Sequence, residues 1–145
     1  MMVCLTRRYR FSASHRLHAG ALSDEENARL FGKCNNPHGH GHNYVLEVTL
    51  AGPVDPSTGM VYNLDQLDGV VEREIIERFD RTHLNLDDEV FRAVVPTTEN
   101  LCREIYRILD EKLEAPKGTR QPFLQHVRLD ETSSNSFEYD GERGS

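Results

Sequence analysis

No apolar run in this 145-residue chain approaches the roughly 20 residues that a membrane-spanning helix needs, so a membrane enzyme is not expected. Cysteine is scarce: Cys4, Cys34 and Cys102 are an odd number, lie far apart and form no CxxC pair. That spacing argues against a disulfide framework and for a reducing compartment, the cytoplasm by default. The N-terminus, MMVCLTRRYR, lacks the apolar core and small-residue cleavage site of a secretory signal. Basic residues are outnumbered, 17 Lys and Arg against 24 Asp and Glu. The resulting net charge of −7 makes nucleic acid an unsuitable partner for the surface as a whole. Repeats, low-complexity segments and linkers are missing as well, so one domain over residues 1–145 is expected.

What is present alternates between two periodicities. Residues 3–14 place Val3, Leu5, Tyr9 and Phe11 on alternate positions, interrupted by Arg7, and residues 42–50 do the same with Tyr44, Leu46, Val48 and Leu50; both predict strands. Between them Ser23, three residues before Glu26, resembles a capping box and predicts a short helix or turn. "AGPVDPSTGM", with two glycines and two prolines, is a loop or hairpin connection. Leu64, Leu67, Val71 and Ile75 recur at helical spacing and predict a helix over 64–79. A second is predicted from about Thr98 to Leu113, with Leu101, Ile105, Ile108 and Leu109 as its apolar stripe and Pro96 and Thr97 at its start. "APKGTRQP" breaks the pattern, and 123–130 and 135–140 read as final strands. The order β, β, α, α, β, β predicts an α+β fold, a four-stranded antiparallel sheet with two helices on one face. Its other face needs a partner, so oligomerisation is expected.

The chemistry concentrates in "FGKCNNPHGHGHNY", residues 31–44. Alternate residues of a strand share a face, so His40 and His42, leading into the second strand, can converge on one ion about 2 Å from each nitrogen. His15, at the end of the first strand, is the natural third ligand if the two strands are adjacent. Three histidines with an open fourth position is the catalytic arrangement of zinc. By spacing alone, His38 could replace either neighbour, although Pro37 and Gly39 make an extended backbone there less secure. Cys34, beside Lys33, admits three readings: a fourth ligand that closes the site, an inert small hydrophobe, or a nucleophile or base. Arg7, Arg8, Arg10, Arg16 and Lys33 form a local basic cluster, read either as a solvated strand face or as a pocket for an anionic substrate.

Five phrases in order, "FSASHRLHAGALSDEEN", "LFGKCNNPHGHGHNY", "DPSTGMVYNL", "PTTENL" and "VRLDETSSNSFEY", resemble the 6-pyruvoyltetrahydropterin synthase family over nearly the whole chain. The resemblance implies a tunnelling (T-) fold, in which the sheets of three subunits join into a barrel. Two such trimers stack into a homo-hexamer with active sites at subunit interfaces. It implies zinc held by His15, His40 and His42, with His38 a bystander, Cys34 catalytic, Glu131 anchoring the pterin ring, and Thr97 and Thr98 closing around it. The family commonly has Asp directly followed by His before an "NLD"-like stretch, whereas this chain reads "FDRTHLNLD". His83 fits by its distance to Asn85-Leu86-Asp87; Asp80 could orient it only if a turn folds it back, and Asp87 or Asp88 could serve instead.

The implied substrate is 7,8-dihydroneopterin triphosphate, a small molecule that loses triphosphate while its side chain undergoes an internal redox rearrangement. Zinc would bind the side-chain hydroxyls and acidify the adjacent C–H. Cys34 would remove a side-chain proton, and His83 would relay protons as general acid or base. Arg8, Arg16 and Lys33 are the expected contacts of the triphosphate, and no external redox cofactor is required. The same-fold rival is 6-carboxytetrahydropterin synthase of queuosine biosynthesis, which releases acetaldehyde; "GKCNNP" and "DPSTGMV" are closer to the pyruvoyl branch. A non-catalytic zinc-binding module with Cys34 as fourth ligand, or a pterin binder without activity, are alternatives of another class.

Overall fold

The computed structural model describes residues 2–115 and 121–142, and one long hairpin organises it. Strands β1 (Met2–His15) and β2 (His40–Pro53) pair antiparallel along their full length, from Met2 opposite Pro53 to His15 opposite His40. The alternation of apolar residues read from the sequence is what this pairing uses. Phe11 and Ala13 of β1 and Tyr44, Leu46, Val48 and Leu50 of β2 are all buried on one face. The connection carries α1 (Asp24–Phe31), where Ser23 Oγ accepts the Glu26 amide at 3.1 Å as a helix N-cap should. A single 3₁₀ turn, Gly32–Asn35, follows it.

Helix α2 (Leu64–Val71) continues through a π turn (Glu72–Ile76) into α3 (Glu77–Phe79). The predicted helix over 64–79 is therefore one path with a wider, under-wound middle, and Leu67, Val71, Ile75 and Phe79 still fall on its buried side. The short strand β3 (Thr82–His83) and the single turn α4 (Leu84–Asp87) come next. Helix α5 (Thr98–Lys112) starts at Thr97, whose Oγ1 accepts the Asn100 amide at 3.1 Å. It buries Leu101, Ile105, Ile108 and Leu109 against the sheet. Strands β4 (Phe123–Thr132) and β5 (Asn135–Tyr139) complete the chain. Most of the break read in "APKGTRQP" falls on 116–120, outside the described residues.

Among the described residues the sheet has five strands in the order β3-β1-β2-β4-β5, which corrects the expected four-stranded antiparallel arrangement. The extra strand pairs parallel with β1 at Ala13 and Ser14. Two residues are too few to carry a period-2 signal; a backbone turn creates the pairing instead. Arg81 adopts a left-handed φ of 61°, and its amide donates to Ser12 O at 2.6 Å. The sheet is thus mixed within an α+β fold. On the face away from the helices a charge ladder crosses four strands. Arg8 of β1 reaches Glu47 of β2 at 2.7 Å, Glu47 reaches Arg128 of β4 at 3.4 Å, and Arg128 reaches Glu138 of β5 at 3.9 Å.

Candidate active site

Because β1 ends at His15 and β2 begins at His40, the hairpin register sets the two histidines opposite one another, with His42 opposite Ala13. The three imidazoles form a tight, mutually tilted group with centroid separations of 4.8, 5.1 and 4.8 Å. One ring nitrogen from each lies within 4.8 Å of the others. His15 Nε2 and His40 Nε2 are 3.2 Å apart, close to the roughly 3.3 Å that tetrahedral metal–nitrogen bonds of about 2.0–2.1 Å would impose. His15, 1% exposed, points its Nδ1 at the Pro96 carbonyl at 2.8 Å. A carbonyl there selects the Nδ1–H tautomer and leaves Nε2 free to ligate. Among the described residues His42 Nε2 is buried without a hydrogen-bond partner, an orphaned polar atom whose cost a metal would remove. Burial, and then the neighbouring imidazole charges, push His15 and His40 below their ordinary values, so both favour the neutral form that ligation needs. The group can hold a metal ion.

Strand β4 lies on the other side of β2 and brings Glu131 to the rim of this group. Its Oε2 is 4.0 Å from His42 Nε2 and accepts a short hydrogen bond from Thr98 Oγ1, while Asn135 Nδ2 donates to Oε1 at 3.1 Å. Burial works to raise the carboxyl, but the Thr98 and Asn135 hydrogen bonds and the adjacent histidines outweigh it and hold Glu131 below its ordinary value. Thr98 is therefore placed against Glu131, whereas Thr97 spends its hydroxyl on the α5 cap. The Tyr44 hydroxyl is buried beside His42 and near the Thr98 hydroxyl. Burial, followed by the Glu131 charge, pushes its pKa up.

Across the group from Glu131, β3 supplies His83. Gly39, with φ 75°, lets that imidazole approach: a Cβ on Gly39 would stand 2.7 Å from His83 Nε2 and 3.0 Å from His15 O. His83 thus packs on the loop that joins Cys34 to His40. Cys34 sits in the 3₁₀ turn, half-buried, and its carbonyl accepts the Leu17 amide at 2.8 Å. Among the described residues the metal-ligating group contains the three histidines and not Cys34.

Residues 4–142 match the family model described as 6-pyruvoyl tetrahydropterin synthase. The chain belongs to that family. It is similar to the 6-pyruvoyl tetrahydrobiopterin synthase of Homo sapiens, 48% identical over 138 residues covering 95% of this chain and 91% of that protein. It is also similar to the protein of the same name from Drosophila melanogaster, 46% identical over 137 residues covering 94% and 79%. The solved structure of Caenorhabditis elegans 6-pyruvoyl tetrahydropterin synthase superposes with a TM-score of 0.90 at 41% identity, covering 98% and 97% of the two chains.

In this synthase-family chain several expected site residues have other work. Asp80 does not fold back onto His83: its Oδ1 accepts the Ser12 amide at 2.8 Å, and its Oδ2 faces Arg81 Nε at 3.8 Å. The sharp turn at Arg81 directs the carboxylate toward β1. Asp87 reaches the His83 backbone amide at 2.8 Å rather than its ring, and Asp88 pairs with Arg78. Arg8 belongs to the cross-strand charge ladder, seven residues from His15 and on the opposite side of the β1 pleat. His38 is exposed, and Lys33 is exposed beside Cys34. Tyr44 and Gly39 were not among the expected site residues, because an alternating apolar position and a loop glycine carry no local sign of a site. Asn85 was missed too; it clamps the backbone after His15, accepting Arg16 N and donating to Arg16 O, both at 2.8 Å.

Proposed function

We propose that this protein is a zinc-dependent lyase converting 7,8-dihydroneopterin triphosphate to 6-pyruvoyltetrahydropterin with loss of triphosphate. The observation that carries the reading is the convergence of His15, His40 and His42 on one point, with the Glu131 carboxylate at its rim. Zinc held by those three nitrogens would supply Lewis-acid polarisation of a side-chain hydroxyl. Glu131 would accept two parallel hydrogen bonds from the pterin 2-amino group and N3–H, with Thr98 orienting the carboxylate. Cys34 would take a proton from a side-chain carbon as the C–O bond to triphosphate breaks. His83 would return a proton at the opposite side, so that oxidation of the side chain is balanced by reduction of the pterin ring. Arg16 lies next to the group, and Lys33 lies beside Cys34 at its margin. That Cys34 stands apart from the histidine group supports catalysis over a closed structural zinc site. The bare, charged sheet face supports a homo-hexamer of stacked trimers with the sites at subunit interfaces.

Incubating the zinc-loaded protein with dihydroneopterin triphosphate and weighing the products tests the reading. 6-Pyruvoyltetrahydropterin and triphosphate are expected; acetaldehyde with a 6-carboxypterin would overturn it. Cys34→Ala is expected to retain full zinc content while turnover drops by about a hundredfold to ten-thousandfold, the range of a lost acid–base group. Loss of zinc in that variant would instead favour a structural module.

A further inference from the structure

Beside the histidine group lies a cleft of about 440 Å³, within the usual range of small-molecule sites, whose lining includes Arg16, His18, His83, Asn85, Arg92 and Pro96. Its charge is one-sided. Among the described residues no carboxylate lines it, although the chain as a whole carries a net charge of −7. A second cleft, about 610 Å³ along α5, also holds arginines, but Glu104, Asp110 and Glu111 are interleaved with them. Arg7, Arg8, Arg73, Arg78, Arg81, Arg107 and Arg128 pair with carboxylates; among the described residues Arg16 and Arg92 pair with none, as do Arg10, Arg29 and Arg103, but only Arg16 and Arg92 share this cleft.

Both guanidiniums are nevertheless held in place. Arg16 Nε donates to Asn35 O at 3.1 Å, and Arg92 Nε donates to Leu86 O at 3.1 Å. Each side chain is thereby fixed at Nε, leaving its terminal NH₂ groups as a fork without a carboxylate, the geometry that binds phosphate oxygens bidentately. Asn35 also orients His18: its Nδ2 donates to His18 Nδ1 at 3.1 Å and to Leu17 O at 2.7 Å. An acceptor at Nδ1 places the neutral ring's proton on Nε2, which makes that atom a donor. The cleft adjoins the metal-ligating group through shared residues. Arg16 follows His15 directly, Pro96 O holds His15 Nδ1, and His83 reaches Gly39 next to His40.

We propose that this cleft seats the polyphosphate of the substrate, with Arg92 and His18 joining Arg16 as its phosphate-binding residues in place of Arg8 and Lys33. The assignment rests on the reading of the substrate as a pterin triphosphate. It orders that substrate along the site: ring toward Glu131, reacting side chain over the histidines, phosphates between Arg16 and Arg92.

Isothermal titration of the zinc-loaded protein with inorganic tripolyphosphate tests the cleft without any turnover. Arg92→Ala and Arg16→Ala are each expected to weaken tripolyphosphate binding about tenfold or more, the size of one lost charge-assisted contact. Arg73→Ala, which removes the same charge from the outside of the α2–α3 path, is expected to change it less than twofold. Arg92→Lys should recover part of the loss. Arg92 is exposed, so its variants keep the fold and decide the matter even if Arg16→Ala does not fold. Failure of the wild-type protein to bind tripolyphosphate, wild-type binding by Arg92→Ala, or equal weakening by Arg73→Ala would each overturn the proposal. Conversion of the pterin triphosphate with tripolyphosphate binding indifferent to Arg92 would refute the cleft and keep the lyase. Arg92-dependent binding with no conversion would do the reverse.

Discussion

At the scale of single residues, Gly39 shows how a site can depend on an atom that is missing. Its φ of 75° lies in the left-handed region, and the space where a Cβ would stand is taken by His83 Nε2 and His15 O. Gly39→Ala therefore adds backbone strain of about 1–3 kcal/mol and displaces the His83 imidazole or the backbone at His15. A lower urea midpoint, with kcat falling more than the residual folded fraction explains, is the expected outcome. A variant with unchanged stability and unchanged kcat would remove His83 from the chemistry. The neighbouring glycine, Gly41, meets nothing closer than 3.8 Å, so Gly41→Ala is the matched control. Within one HGHGH stretch, then, two glycines of identical local appearance differ because only Gly39 is left-handed and crowded by another part of the chain, whereas Gly41 lies at ordinary contact distance from β1.

At the scale of elements, the segment between α3 and α5 must be held against the sheet for His83 and Pro96 to stand where they do. An ion pair does this. Arg78, in α3, donates to Asp88 through Nε at 2.7 Å and NH2 at 3.1 Å, and Asp88 Oδ1 also accepts the Val90 and Phe91 amides at 3.0 and 3.2 Å. The Asp88 side chain is 4% exposed and that of Arg78 29%. Burial acts to raise the Asp88 carboxyl, but Arg78 and the two amides prevail and hold it below its ordinary 3.8. A carboxyl depressed in the folded state contributes stability that is full above the unfolded pKa and is lost as pH falls through the folded one. Asp88→Asn is expected to cost about 3 kcal/mol at pH 7, the lower end for breaking a buried pair, because Arg78 keeps some solvent. Below about pH 4 the gap to the wild-type protein should narrow, as measured by denaturant unfolding across pH. A gap independent of pH would show that the charge of Asp88 is not what holds the segment.

At the scale of the whole molecule, the sheet is unfinished. Among the described residues β1 has a second partner only at Ala13 and Ser14, where β3 pairs with it. The remaining outer edge, about 3.3 Å per residue, offers unpaired backbone groups from Met2 onward, and Met2 and Val3 are 45% and 41% exposed. Long free edges with apolar side chains are what natural sheets cover or pair, and joining β1 to the sheet of a second copy would do so. Size-exclusion chromatography with light scattering is expected to give six times the chain mass. A monomer at micromolar concentration would show that the edge is left open and the site is complete in one chain.

The sequence by itself determined the parts that repeat locally. Alternation in 42–50 defined β2, helical spacing defined α5, Ser23 with Glu26 marked α1, and His40-Gly-His42 on a strand announced a metal-ligating pair. Each of those signals lies within a few residues, where backbone geometry alone relates side chains. Tertiary structure decided what depends on meeting across the fold. The β1–β2 register delivered His15 to the pair, and the turn at Arg81 made β3 while sending Asp80 to Ser12 instead of His83. The cross-strand ladder claimed Arg8, and packing brought Arg92, with no motif around it, to the same cleft as Arg16. Partners far apart in the chain leave no spacing to read, because their approach is set by packing and register rather than by the period of any one element.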